Sequence, residues 1–307
     1  MLSEALVFGC ARLAGGAEAR ASRALLRLCL DRGVRWFDTA PSYGMGMAED
    51  VVGQVTEGLA DVRVTAKVGS TRPSHPLARS WLRRFRRAIG AGQRTLDAPF
   101  EPFPPPATNN GGAFDPGSML VSFRQSLTAL RRERVDLLLL HEAYAEDVHP
   151  AVIAFLDEAR TSGLADRVGY AHGATGDEAT DACFPAGYHA QFAIPPLWFQ
   201  GQATSLASSL TLHSLAKVGF WLAGRDSDFG RRLAKAAGEV GRADDKASQI
   251  ACLFALAHLQ RPDARLIFAS TDQKRTAAFF EVVRRIDADG GLDTVARAFA
   301  VGASSEA

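Results

Sequence analysis

The sequence predicts an α/β protein folded as a closed (β/α)8 TIM barrel, and three observations carry that expectation. Short apolar runs ending in Gly, Asp, Lys or His alternate with amphipathic stretches of helical period along most of the chain. Eight such runs occur, and alternation of this kind implies parallel strands joined by crossover helices. No Gly-x-Gly-x-x-Gly follows any of them, which favours closure over an open doubly wound sheet. The 307 residues suit a single domain spanning 1–307, with an extended loop or lid over 70–117 after the third strand.

Taken in order, residues 5–8 form the first strand, which breaks at Gly9. The first helix, 18–32, carries Ala21, Leu25, Leu26, Leu28, Cys29 and Leu30 on a broad apolar face, and Gly33 stops it. Residues 35–38 are the second strand, 46–58 the second helix with Val51, Val52 and Val55 inward, and 62–68 the third strand. Regularity then fails between Gly69 and Gly117, where Pro104-Pro105-Pro106 and Asn109-Asn110-Gly111-Gly112 exclude one continuous element. Inside it, Trp81, Leu82, Phe85 and Ile89 oppose Arg79, Arg83, Arg84, Arg86 and Arg87, as a short amphipathic helix would. That basic face is either solvated or an anion-attracting rim. Residues 118–134 are helical, with Met119, Val121, Phe123, Leu127 and Leu130 apolar. Strands follow at 135–141, 167–170, 188–192, 210–213 and 265–268, and helices at 152–159, 229–240, 246–258 and 272–286.

Hydrophobic residues make up 47% of the chain and the net charge is +1, so nothing global points to nucleic acid or an anionic membrane as partner. Cys10, Cys29, Cys183 and Cys252 lack metal-ligand or redox spacing and read as buried free thiols. With no leader pattern and no stretch of about 18 apolar residues, a cytoplasmic protein is expected.

Three strand ends offer chemistry. The second delivers Asp38 and, five residues on, Tyr43; the third ends in Lys67; the fourth ends in His141. The ordered set FDTAPSYG (37–44), TAKVG (65–69) and DLLLLHE (136–142) resembles the aldo-keto reductases, barrels that use a nicotinamide cofactor. The aromatic, proline-rich approach to 135–141 resembles the family's aldose-dehydrogenase branch. The resemblance implies that Asp38, Tyr43, Lys67 and His141 form the catalytic tetrad. It also implies that the usual N-terminal hairpin across the barrel floor is missing, because the first strand starts at once. Hydride transfer to a carbonyl leaves charge on oxygen, so a proton donor must stand beside it. Tyr43 is the donor, Lys67 the ammonium that favours its phenolate, and Asp38 the carboxylate that lets the ammonium be buried. His141 orients the carbonyl or assists proton exchange.

The same resemblance implies a cofactor site. Residues 265–281, RLIFASTDQKRTAAFFE, match the family's adenosine-phosphate segment, with Ser270, Thr271, Lys274 and Arg275 toward the phosphate. Ala269 and Phe279 replace residues that many members use there. One retained guanidinium favours NADP(H) and leaves NAD(H) open. At the nicotinamide end Gly169-Tyr170-Ala171-His172 stands where Gly-x-Ser-Asn is usual, leaving His172 to hydrogen-bond. Gln191 matches, and His213 with Ser214 lies where an aromatic ring stacks. An oxidoreductase acting on a small carbonyl or sugar is expected. The alternatives are a redox-neutral isomerase or lyase, or a nicotinamide-sensing regulatory protein. Oligomeric state is left open.

Overall fold

The alternating pattern resolves into eight parallel strands closed in sequence order. They are β1 Leu6–Gly9, β2 Trp36–Asp38, β3 Arg63–Val68, β4 Val135–His141, β5 Ala165–Ala171, β6 His189–Ala193, β7 Leu210–His213 and β8 Arg265–Phe268, with β8 returning to pair with β1. The structure is a computed structural model and describes residues 1–74, 114–172, 178–200, 209–288 and 290–299. The expected amphipathic helix with Trp81 and its arginines lies outside those residues, as does the proline-rich run. No described helix is long and apolar enough to cross a membrane.

Helices cover the barrel wherever the 3.6-residue period supplies an apolar face. Ala19–Asp31 buries Leu25, Leu26 and Cys29, and the chain then reverses at Gly33, whose φ of 88° suits a residue without Cβ. Its N–H and that of Val34 close on the carbonyls of Leu30 and Cys29, both at 3.0 Å. Pro116–Leu130 begins where Asp115 accepts the Ser118 N–H and Pro116 occupies the first turn. It buries Met119, Phe123, Leu127 and Leu130, spaced to lie on one stripe.

Several expectations are corrected. Val121 points to solvent, because it falls about 200° around the helix from Met119. Ala21 is likewise exposed. Cys10, Cys29 and Cys252 are buried free thiols, but Cys183 is exposed. A one-turn helix, Leu2–Ala5, precedes β1, and the Leu2 and Ser3 N–H groups donate to the Asp287 carboxylate at 2.7 and 3.0 Å. Two further helices, Leu215–Arg225 and Gly291–Phe299, were not legible as such.

Residues paired in register face the same side of the sheet, so the pairings define the barrel's interior. Its middle is apolar, with Val7, Trp36, Leu137, Leu139 and Ala171 packed together and Ile267 against them. Toward the N-terminal ends of the strands Arg63, Arg167 and Arg265 converge on the Trp36 ring, with guanidinium carbons 5.5, 5.2 and 5.0 Å from its centroid. Trp36 Nε1 donates to Thr65 at 2.8 Å. Gly169 permits closure on β6, since a Cβ there would lie 1.9 Å from the His189 carbonyl oxygen.

His189 is 2% exposed, with Ser209 and Thr211 hydroxyls 2.7 and 2.8 Å from its ring nitrogens. Burial, then Arg167 and Arg265, push its pKa down to about 3. The folded state therefore binds fewer protons than the unfolded chain between about pH 3 and 6.5, and stability falls as pH drops through that window. In urea unfolding across this range, His189→Asn should flatten the pH slope by about one proton, roughly 1.4 kcal/mol per pH unit. An unchanged slope would remove His189 as the source.

Candidate active site

Asp38, Lys67 and His141 sit at or beside the C-terminal ends of β2, β3 and β4, and parallel register brings these ends to one mouth of the barrel. Lys67 is 1% exposed and Asp38 3%. An ammonium so far out of water requires a carboxylate, and both Asp38 oxygens lie 2.6 Å from Nζ. A third contact goes to the Thr39 carbonyl at 3.2 Å. Burial is the largest single influence on the Lys67 pKa and lowers it, but Asp38 and Tyr43 together carry it above the ordinary lysine value. Lys67 is therefore charged at neutral pH.

Tyr43 reaches the same point from the loop after β2. Its N–H closes a turn on the Ala40 carbonyl at 3.1 Å, and Gly44, Met45 and Gly46 follow with φ of 57°, 59° and 89°. Three successive left-handed residues make a tight reversal, and at Met45 that conformation is strained. The loop is fixed from two sides. A Cβ at Gly44 would lie 2.3 Å from the Leu13 carbonyl oxygen. Arg72 donates to the Gly46 carbonyl at 3.2 Å and pairs with Glu49, whose carboxylate is 1% exposed. Lys67 Nζ then lies 4.9 Å from the Tyr43 ring centroid.

The electrostatics correct one expectation. Lys67 does pull the Tyr43 pKa down, but burial raises it more, and the net result is about 12. His141 meets the Tyr43 ring edge-on, centroids 5.4 Å apart. Burial, then Lys67 and His213, press the His141 pKa down to about 3, so its imidazole is neutral. Its Nδ1 is buried, with no hydrogen-bond partner among the described residues.

The remaining candidates divide into two groups. His213 Nε2 donates to the His172 carbonyl at 2.8 Å, which fixes its tautomer and leaves Nδ1 to accept from Ser214 at 2.9 Å. Gln191 lies in register with Ala171 and Thr211, buried, with Oε1 unpartnered among the described residues. Tyr170 faces outward, stacked on Phe184, with its hydroxyl on Asp181 at 2.6 Å. Ser270, Thr271, Lys274 and Arg275 stand at the end of β8. No described hydrogen bond or ion pair joins them to the other group. Lys274 and Arg275 are exposed. The helix there, Gln273–Ala288, already has an anion at its start, since Asp272 accepts the Arg275 N–H at 2.9 Å. Phe279 is core, packed with Phe254, Phe268 and Phe280. Arg72 and its bond to Glu49 escaped sequence reading. Two acids in a helix's first turn, Glu49 and Asp50, read as favourable to the dipole, and nothing local marks Glu49 as the buried one.

Comparison with known proteins gives a consistent result. The profile described as the Aldo/keto reductase family matches residues 5–206. A D-threo-aldose 1-dehydrogenase from Pseudomonas sp is 28% identical over 151 residues, 48% of this chain and 42% of that protein. The match thus spans less than half the length of that curated relative. Among solved structures, glycerol dehydrogenase from Gluconobacter oxydans superposes with a TM-score of 0.64 at 15% identity, covering 95% of this chain and 91% of the other. An aldo/keto reductase from Klebsiella pneumoniae, solved with NADP and acetate, gives 0.57 at 16%, covering 96% and 91%.

The buried pair sets a stability test. Lys67→Met strands the Asp38 carboxylate and should destabilise the fold by about 3–5 kcal/mol at neutral pH, by urea unfolding. Asp38→Asn with Lys67→Met should recover most of that loss. A single variant as stable as the parent would show that the pair is solvated.

Proposed function

The chain belongs to the aldo/keto reductase family, and from that premise we propose that it is an NADP(H)-dependent oxidoreductase interconverting an aldehyde, ketone or aldose with the corresponding alcohol or lactone. One observation carries this reading: a buried ammonium held by Asp38 beside the Tyr43 ring, with a neutral His141 packed edge-on against the same ring.

The residues divide the work as follows. Tyr43, with a pKa of about 12, is protonated at neutral pH and serves as proton donor in reduction. Lys67 stabilises the phenolate left behind, and Asp38 keeps Lys67 charged and fixed. A buried N–H without an acceptor is costlier than a bare lone pair, so the His141 proton belongs on Nε2, free to donate to the carbonyl oxygen. A nicotinamide supplies or accepts the hydride when bound. The residues present suit one: the unpartnered, buried Gln191 Oε1 is an acceptor for a carboxamide N–H. His172, His213 and Ser214 complete that end, and the His213 ring is already fixed at both nitrogens. Ser270, Thr271, Lys274 and Arg275 take the adenosine phosphate. Arg275 supports NADP(H), and the Asp272 carboxylate 3.8 Å from its guanidinium weakens the preference enough for NAD(H) to serve as well. Similarity to an aldose dehydrogenase makes aldoses the first substrates to try.

Turnover of an aldose and carbonyl panel, followed by reduced-nicotinamide absorbance, tests the activity. Tyr43→Phe should lower kcat by about 100- to 10,000-fold with cofactor Kd little changed, and near-normal turnover would refute the assignment. With His141 neutral and Tyr43 protonated, reduction should be flat between about pH 6 and 9. Oxidation needs the phenolate and should rise about tenfold per pH unit over the same range. An acid limb near pH 6.5 in reduction would implicate a histidine cation instead.

A further inference from the structure

The face of the barrel away from the candidate active site gathers three guanidiniums that no ion pair among the described residues neutralises directly. Arg63 and Arg265 open β3 and β8, and Arg167 is the third residue of β5. Their register partners, Trp36, Thr211 and Leu137, all line the interior, so the three side chains gather at the floor's rim, where Arg63 and Arg167 stay exposed and Arg265 is half-buried. Each guanidinium carbon lies between 5.0 and 5.5 Å from the Trp36 centroid, which puts any two within roughly 11 Å of each other. One tetrahedral oxyanion bridges guanidiniums that face one another across such a cluster through paired N–H donors.

The donors are largely unspent. Arg167 Nη1 donates to Ser209 at 3.2 Å and Arg265 Nη1 to the Glu4 carbonyl, and none of the three forms an ion pair among the described residues. The carboxylates that act on them are Glu4, Asp136 and Asp166. Asp166 is paired with Arg134, and Asp136 accepts the Val64 N–H at 2.8 Å. Burial and the neighbouring Arg63 both hold the Arg167 and Arg265 guanidiniums below their ordinary pKa, the mark of like charges held together.

We propose that Arg63, Arg167 and Arg265 form, beside Trp36, a binding site for a small multivalent oxyanion of the inorganic phosphate class, on the N-terminal floor of the barrel. Its position away from the mouth that holds Asp38 and Lys67 makes the ligand a structural or regulatory anion, not a substrate. The floor of such barrels serves stability, and an anion there neutralises repulsion that the fold otherwise carries.

Inorganic phosphate is the probe, used in an Arg275→Gln background so that the candidate adenosine-phosphate end does not contribute. Calorimetric titration at constant ionic strength should show saturable binding, and phosphate should raise the unfolding midpoint above that in chloride. Arg63→Gln and Arg167→Gln should each weaken phosphate binding by about tenfold or more, with Arg63→Lys restoring part of it. Arg63 and Arg167 are both exposed, so their variants should fold. Stacking on Trp36 alone predicts the same loss of midpoint in both salts. That outcome, absence of saturable binding, or an unchanged Kd in both glutamine variants would overturn the proposal.

Discussion

A lysine with 1% of its surface exposed, held 2.6 Å from both oxygens of one aspartate, is the constraint around which this barrel is arranged. Neither charge can be buried alone, so the ends of β2 and β3 must meet in one register, and Asp38 must align with Thr65 for Lys67 to reach it. Once that pair exists, the neighbouring groups inherit their states. Tyr43 is crowded against an ammonium it cannot escape, and His141 is denied a proton by burial and then by the same charge. The site is thus a set of linked protonation states with one anchor.

The interior grades from a polar mouth through an apolar middle to a cationic floor. Leu137 and Leu139 lie on the same strand as His141, spaced by two, so one strand passes from core packing to site chemistry within a few residues. Strand periodicity sets the alternation, and distance along the strand sets the depth. The two charged layers are insulated from each other by side chains that carry no charge.

Much of this was legible in sequence, for an identifiable reason. A strand end is a local signal, and Asp38, Lys67 and His141 each terminate an apolar run. The arginines at the floor give no such signal. Arg63, Arg167 and Arg265 are spread over about two hundred residues, and only closure of the sheet shows that they share one ring. Glu49 and Arg72 were hidden similarly, since their meeting depends on the loop after β3 folding back over the loop after β2. Helix Leu215–Arg225 contains Gly219, placed where a Cβ would press on Leu253, so helix–helix packing overrides a weak local propensity. The phenol's pKa is hidden in sequence for a different reason: the attraction to Lys67 follows from the strand ends, but the depth of burial that outweighs it depends on the whole mouth.

The reversal at Gly44 has a consequence for how such a molecule diversifies. Because the Leu13 carbonyl occupies the space a side chain at 44 would need, and Arg72 grips Gly46, the first three segments of the rim behave as a single casting. Lengthening either of the first two would displace the phenol along with the new residues. Novelty at the opening has to be grafted beyond Arg72, and that is where this sequence carries its long proline-rich stretch.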